Sequence, residues 1–160
     1  MPVFISHRHT DSNKAANISR QLQIAGIQNY LDVLDPDAQK VDDITSHITE
    51  KMKICTHIIA VVSRETALSW WVLFEIGEAT ALERRISTYQ TGYAQLPEYL
   101  AKWPIMTTDF HLNMFIQEYR NESANIAILR KSEQIFESAR GNKTAKNFHD
   151  TLKNRIRFGI

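Results

Sequence analysis

Short apolar runs alternate with helical patterns over the first two thirds of the chain. Val3-Phe4-Ile5 predicts a strand, followed by the polar turn Ser6-His7-Arg8-His9-Thr10-Asp11. Ala15, Ile18, Leu22 and Ala25 then recur at three- and four-residue spacing, which places them on one helix face. Gly26 stands where a helix commonly ends in a left-handed residue. Ile27 to Leu31 predicts a second strand, and Asp32 to Lys40, with Pro36 inside it, a loop. Val41, Ile44, Ile48, Met52 and Cys55 again space as a helix face. Ile58-Ile59-Ala60-Val61-Val62 lacks polar alternation, so it predicts a strand buried on both faces in the middle of a parallel sheet. Ser69 is placed to cap a third helix from about Trp70 to Arg85, with Ile76, Ala79 and Leu82 inward. Weaker patterns suggest strands over Ile86–Tyr89 and Pro104–Thr107 and a helix over Asp109–Tyr119.

Strand and helix alternating at about 30-residue spacing predicts an α/β fold, an open parallel sheet with helices on both faces. Ligands of such sheets bind beyond the carboxyl ends of the strands, so the turns after Ile5, Leu31 and Val62 should share one functional rim. The sheet and its covering helices account for residues 1–120. Residues 121–160 are expected to add a C-terminal helical extension packed on that domain. Ile126, Leu129, Ile135, Phe136 and Ala139 line its first helix, which Gly141 should end; Phe148, Leu152 and Ile156 line its second.

A formal net charge of +1 gives no bulk electrostatic reason to expect nucleic acid or an anionic membrane as partner. No apolar stretch approaches the roughly 20 residues a membrane helix needs, and the N-terminus lacks the pattern of a signal peptide. Cys55 is the single cysteine, which excludes an intramolecular disulfide and a multi-cysteine zinc site. A reducing, cytoplasmic location is the expectation.

Three segments carry candidate chemistry. His7-Arg8-His9-Thr10-Asp11 resembles the opening of the metallo-β-lactamase signature, but Ser12 stands where its last histidine should be. No metal is therefore expected there, and Asp11 or Ser12 is better placed to cap the next helix. The loop from Asp32 through Asp35 and Asp37 is rich in carboxylates without the spacing or glycine of a calcium loop. In Ser69-Trp70-Trp71-Val72-Leu73-Phe74-Glu75, Trp71 and Glu75 are one helical turn apart. A carboxylate beside an indole has its charged form disfavoured by desolvation, and both groups attract a cationic substrate. Read alone, this segment is better explained by core packing of Trp70 and Trp71 with Glu75 a solvated surface charge.

Together the segments resemble a Toll/interleukin-1 receptor (TIR) domain of the bacterial kind. The pattern is Phe4-Ile5-Ser6-His7 with Asp11, then Tyr30-Leu31-Asp32, then Ile59-Ala60-Val61-Val62-Ser63, and last Ser69, Trp71, Glu75 and Ala79 in a Ser-x-Trp-x-x-x-Glu-x-x-x-Ala arrangement. The resemblance implies a flavodoxin-like sheet of five strands and, as in many bacterial and plant members, cleavage of NAD at the nicotinamide–ribose bond. NAD is then the substrate, and no resident cofactor is implied. Glu75 corresponds to the catalytic glutamate and Trp71 to the aromatic residue before it. Asp32 matches the acid ending strand two, and Asp37 an acidic position in the following loop beside Pro36. Ser6, His7 and Arg8 occupy the first loop, which borders the substrate and here departs from members with a basic pair. The family further implies self-association, and in anti-phage systems such as Thoeris a cyclic product that reaches a separate effector protein. A non-catalytic adaptor acting by assembly, and a nucleoside deoxyribosyltransferase-like enzyme, are the competing readings.

Overall fold

The computed structural model describes residues 1–33, 41–66, 70–93, 95–131 and 141–159. Five parallel strands form a sheet in the order β2-β1-β3-β4-β5: β1 (Val3–His7), β2 (Asn29–Val33), β3 (His57–Val62), β4 (Arg85–Gln90) and β5 (Ile105–Met106). The helices are α1 (Ser12–Ile24), α2 (Val41–Ile54), α3 (Trp70–Ala81), α4 (Asp109–Lys131) and α5 (Gly141–Phe158), with short 3-10 turns at His9–Asp11 and Glu98–Lys102. The α/β class and the helices on both faces are those the alternating pattern predicts. Every residue of β3 is buried, as its unbroken apolar run requires of a central strand.

Alternating side chains feed two cores. Phe4, Ile58, Ala60 and Val62 pack against Ile48 and Met52 of α2 and Ile76 and Ala79 of α3. On the other face Val3, Ile5, Ile59 and Val61 meet Ile18 and Leu22 of α1, Leu112 and Phe115 of α4, and Phe148 and Leu152 of α5. Cys55 is a free thiol buried in the first core, and burial pushes its pKa up to about 11, so it packs as a neutral apolar group.

Two element boundaries differ from the predicted ones, each because of a helix stop. Gly26, at φ +76°, closes α1 with the N–H of Ile27 donating to Leu22 O at 2.8 Å and its own N–H to Gln23 O at 2.9 Å. That closure uses the Ile27 amide, and β2 begins at Asn29 instead of Ile27. The same device ends α3 at Ala81, short of Arg85: the Arg84 N–H donates to Ala79 O at 2.9 Å while Glu83 holds φ +54°. No glycine marks this stop. A third difference concerns the tail. The structure has no helix boundary near 120, since α4 runs from Asp109 through Arg120 and Ile126 to Lys131. Gly141 opens α5 and does not end a helix; Ile135, Phe136 and Ala139 lie outside the described residues.

A buried polar network fastens α4 and α5 to the amino-terminal ends of β3 and β4. Glu122 of α4 meets His57 Nε2 at 3.0 Å and Arg85 Nη2 at 2.7 Å, and Arg85 also donates to Thr144 Oγ1 of α5 at 3.0 Å. Burial opposes ionisation of Glu122, but the His57 hydrogen bond and the Arg85 charge outweigh it and hold its pKa below the ordinary value. His57, wholly buried among the Phe115, Tyr119 and Phe148 rings, has its pKa lowered by desolvation despite Glu122. Its Nε2 lies 3.0 Å from Glu122 Oε2, and its Nδ1 lies 2.8 Å from the Thr56 hydroxyl oxygen.

His149 of α5 accepts the Ile86 N–H on Nε2 at 2.8 Å, so that nitrogen must carry no proton. Burial first, then the charges of Lys153 and Arg85, depress its pKa from 6.5 to about 4. A histidine depressed in the fold takes up a proton on unfolding, so its stabilisation is complete above pH 6.5 and is lost as pH falls toward 4. The denaturant midpoint is expected to drop across that interval, and His149→Gln, which retains an acceptor, to show a smaller drop; equal pH dependence in the two proteins would refute the assignment. Glu83→Gly should raise stability by about 0.5 to 1 kcal/mol, because relief of a left-handed non-glycine residue exceeds the added unfolded-state entropy. Urea denaturation measures this, and a lower midpoint would contradict it.

Candidate active site at the strand-end rim

Parallel pairing places the carboxyl ends of all strands on one rim. Ser6 is the penultimate residue of β1, in register with Asp32 of β2 and Ala60 of β3. Alternation turns its side chain to the same face as Phe4, toward the α2–α3 layer. There the Ser6 hydroxyl donates to Oε2 of Glu75 on α3, and the two residues are only 3% and 2% exposed. The sequence pattern has the strand end at Ile5 and leaves Ser6 and His7 in a turn. In the structure both belong to β1 and both are buried, because the pairing with β2 continues to His7 opposite Val33.

Asp11 is also buried and forms a second rim cluster. Its Oδ2 accepts from the Ser63 hydroxyl at 3.0 Å and lies 3.4 Å from Thr66 Oγ1, and Thr66 Oγ1 accepts the Ser63 N–H at 2.6 Å. Asp11 occupies the N-cap position of α1 without a side-chain capping bond, and the Ser12 hydroxyl turns back to His9 O at 2.7 Å. The expected capping role thus gives way to a tie between the turn after β1 and the turn after β3. Ser63 and Thr66 are rim residues that periodicity could not single out: Ser63 closes one segment of the family pattern, and Thr66 is marked only by its place just past the apolar run.

The turns after β1, β3 and β4 enclose a polar cleft of about 580 Å³, lined by Thr10, Asp11, Ser63, Arg64, Thr91 and Tyr93 among others. Tyr93 is fully exposed at its edge, following Gly92 at φ +64°. Glu75 does not line this cleft. A further cavity of about 490 Å³, bordered by Arg84, Lys102, Trp103 and His149, lies at the opposite, amino-terminal end of the strands.

The remaining candidate residues divide by position. Arg8, half-buried, precedes the 3-10 turn in an extended conformation. Asp32 is in β2, and its backbone partner is Ser6. Trp71 falls in the first turn of α3, one turn before Glu75. The side chains of Asp32 and Trp71, and all of Asp37, Pro36 and Ser69, lie outside the described residues. His7 is held within β1 while His9 is in the following turn, and among the described residues no group of three or more His, Cys, Asp or Glu is gathered in metal-binding fashion.

This rim, with a buried carboxylate held beside the end of the first strand, is set on an open α/β sheet. Residues 3–111 match the family model described as TIR domain (TIR_2), which covers more than half of the chain. The chain belongs to the TIR domain family. Among solved structures, the TIR domains of the activated Roq1 resistosome directly recognising the pathogen effector XopQ are similar at 16% sequence identity and a TM-score of 0.46, covering 98% of this chain and 84% of that one. No curated protein sequence matches.

Proposed function

We propose that this TIR domain cleaves NAD+ at the nicotinamide–ribose bond, giving ADP-ribose or a cyclic ADP-ribose isomer. What supports this is the Glu75 carboxylate, buried at the carboxyl end of β1 against the Ser6 hydroxyl within the segment that matches the family. When the C1′–N bond breaks, its electron pair stays on the nicotinamide nitrogen, which leaves as a neutral ring. The ribose is left with oxocarbenium character. A fixed carboxylate out of bulk water stabilises that developing charge far more than a solvated one would. Attack on C1′ by water then yields ADP-ribose; attack by a hydroxyl or ring nitrogen of the same molecule yields a cyclic isomer. In this scheme Trp71 stacks on a flat ring, Arg8 pairs with pyrophosphate, and His7, Asp32 and Asp37 border the substrate. A bacterial setting in anti-phage defence, with a separate effector reading the product in the cytoplasm, completes the reading.

Glu75→Gln keeps the shape and removes the charge, and should lower NAD turnover by at least ~100-fold with the fold intact. Separation of the products identifies free nicotinamide with ADP-ribose or its cyclic isomer. Near-normal turnover in a folded Glu75→Gln protein, or base exchange on deoxynucleosides in place of NAD cleavage, refutes the proposal.

Assembly belongs to the same reading. The loop containing Pro36 corresponds to the segment TIR domains use for head-to-tail contacts, which are heterologous and propagate instead of closing. A neighbouring subunit seated beside the site would help to expel water, coupling association to turnover. Turnover per chain should then rise with protein concentration in step with light scattering. Constant turnover across a wide dilution series, with scattering unchanged, would rule the coupling out.

A further inference from the structure

We infer that Ser6 is a positioning residue for Glu75: its hydroxyl, presented from the end of β1, keeps a buried carboxylate ionised and aimed. The inference rests on the role proposed for Glu75. Burial disfavours the charged form of a carboxyl group, and Glu75 is 2% exposed. A protonated glutamic acid at that place would carry no charge to set against an oxocarbenium ion. A donor aimed at the anion opposes this, because hydrogen bonds to an ionised acceptor are stronger than those to its neutral form.

The placement of the donor is suited to the task. Ser6 is in register with β2 on one side and β3 on the other, through Asp32 and Ala60, so its backbone is fixed by strands on both flanks. Its side chain emerges on the face that α3 covers and meets Glu75 Oε2. A donor on a paired strand is held more closely than one on a loop, so the carboxylate inherits the order of the sheet. The Ser6 hydroxyl is spent on the Glu75 carboxylate. Its effect passes through Glu75. A serine that merely filled space beside Glu75 would affect stability without moving the Glu75 titration.

The carboxyl group is directly observable. In protein labelled with 13C-glutamate, the Glu75 carboxyl resonance is the one missing from the Glu75→Gln spectrum, and its midpoint can be followed against pH. Ser6→Ala should raise that midpoint by about one to two pH units, the usual worth of a charge-assisted hydrogen bond. Ser6→Thr, which keeps the hydroxyl, should stay near the parent value. In turnover, Ser6→Ala should lower kcat about 10-fold at neutral pH, with KM within about twofold, and displace the acid limb of the pH profile upward with the midpoint. If Ser6→Ala does not fold, Ser6→Cys, with a weaker donor of similar size, should give a midpoint between parent and the shift expected of alanine. An unmoved midpoint in a folded Ser6→Ala or Ser6→Cys protein overturns the inference whether or not NAD is cleaved. A raised midpoint together with NAD cleavage indifferent to Glu75→Gln would instead overturn the reaction assigned to Glu75, leaving the Ser6 contact standing.

Discussion

A central strand buried on both faces governs the architecture. The five apolar residues of β3, Ile58 to Val62, contribute to both cores at once, so each face of the sheet must be covered by helices. Parallel neighbours can be joined only by crossovers that return the chain to the same starting edge. The carboxyl ends of the strands are thereby gathered on one rim and their amino ends on another. The strand order β2-β1-β3-β4-β5 also makes the chain change direction between β1 and β3, which opens a crevice in that rim. Ser6, Asp11 and Ser63 fall around this change of direction, brought together by topology and not by nearness in sequence.

The two rims treat buried charge differently. At the amino-terminal end, Glu122 is met by the Arg85 guanidinium and the His57 ring, and Arg85 reaches on to Thr144. Its charge is cancelled where it stands, and removing one partner would leave the other buried and exposed to the full desolvation cost. That arrangement fastens helices. At the carboxyl end, the donor that meets Glu75 Oε2 from β1 is the neutral hydroxyl of Ser6. The same residue type thus serves as a fastener at one pole and as a candidate for chemistry at the other.

Periodicity made most of the sheet legible. The unbroken run from Ile58 to Val62 identified the central strand, and Ala15, Ile18 and Leu22 identified the α1 face, because burial imposes a regular spacing. Helix ends were less legible. Gly26 is a chemical marker of a left-handed residue, whereas Glu83 adopts the same conformation without one, so the end of α3 lay hidden. The single helix α4 was divided in expectation because its apolar stripe weakens beyond Tyr119, although its backbone continues to Lys131. The candidate site shows the same limit. Glu75 could be singled out from its spacing to Trp71 and the family pattern. Its contact with Ser6, 69 positions away, and the Asp11–Ser63 contact, 52 positions apart, are products of tertiary folding that local pattern does not encode.

The C-terminal helices bear on the site through the sheet. Phe148 and Leu152 of α5 share a core with Val3 and Ile5 of β1, and Arg155 of α5 donates to Glu118 of α4 at 3.1 Å. Those contacts build the helix layer on the sheet face opposite the one from which Ser6 reaches Glu75. Close-packed interiors yield little to local pressure, so a strand gripped on one face presents the side chains of its other face at a nearly fixed position. The precision with which the Ser6 hydroxyl meets the carboxylate therefore depends on apolar packing on the far side of the same strand. Among the described residues, those beyond 120 contribute to that packing without lining the rim cleft.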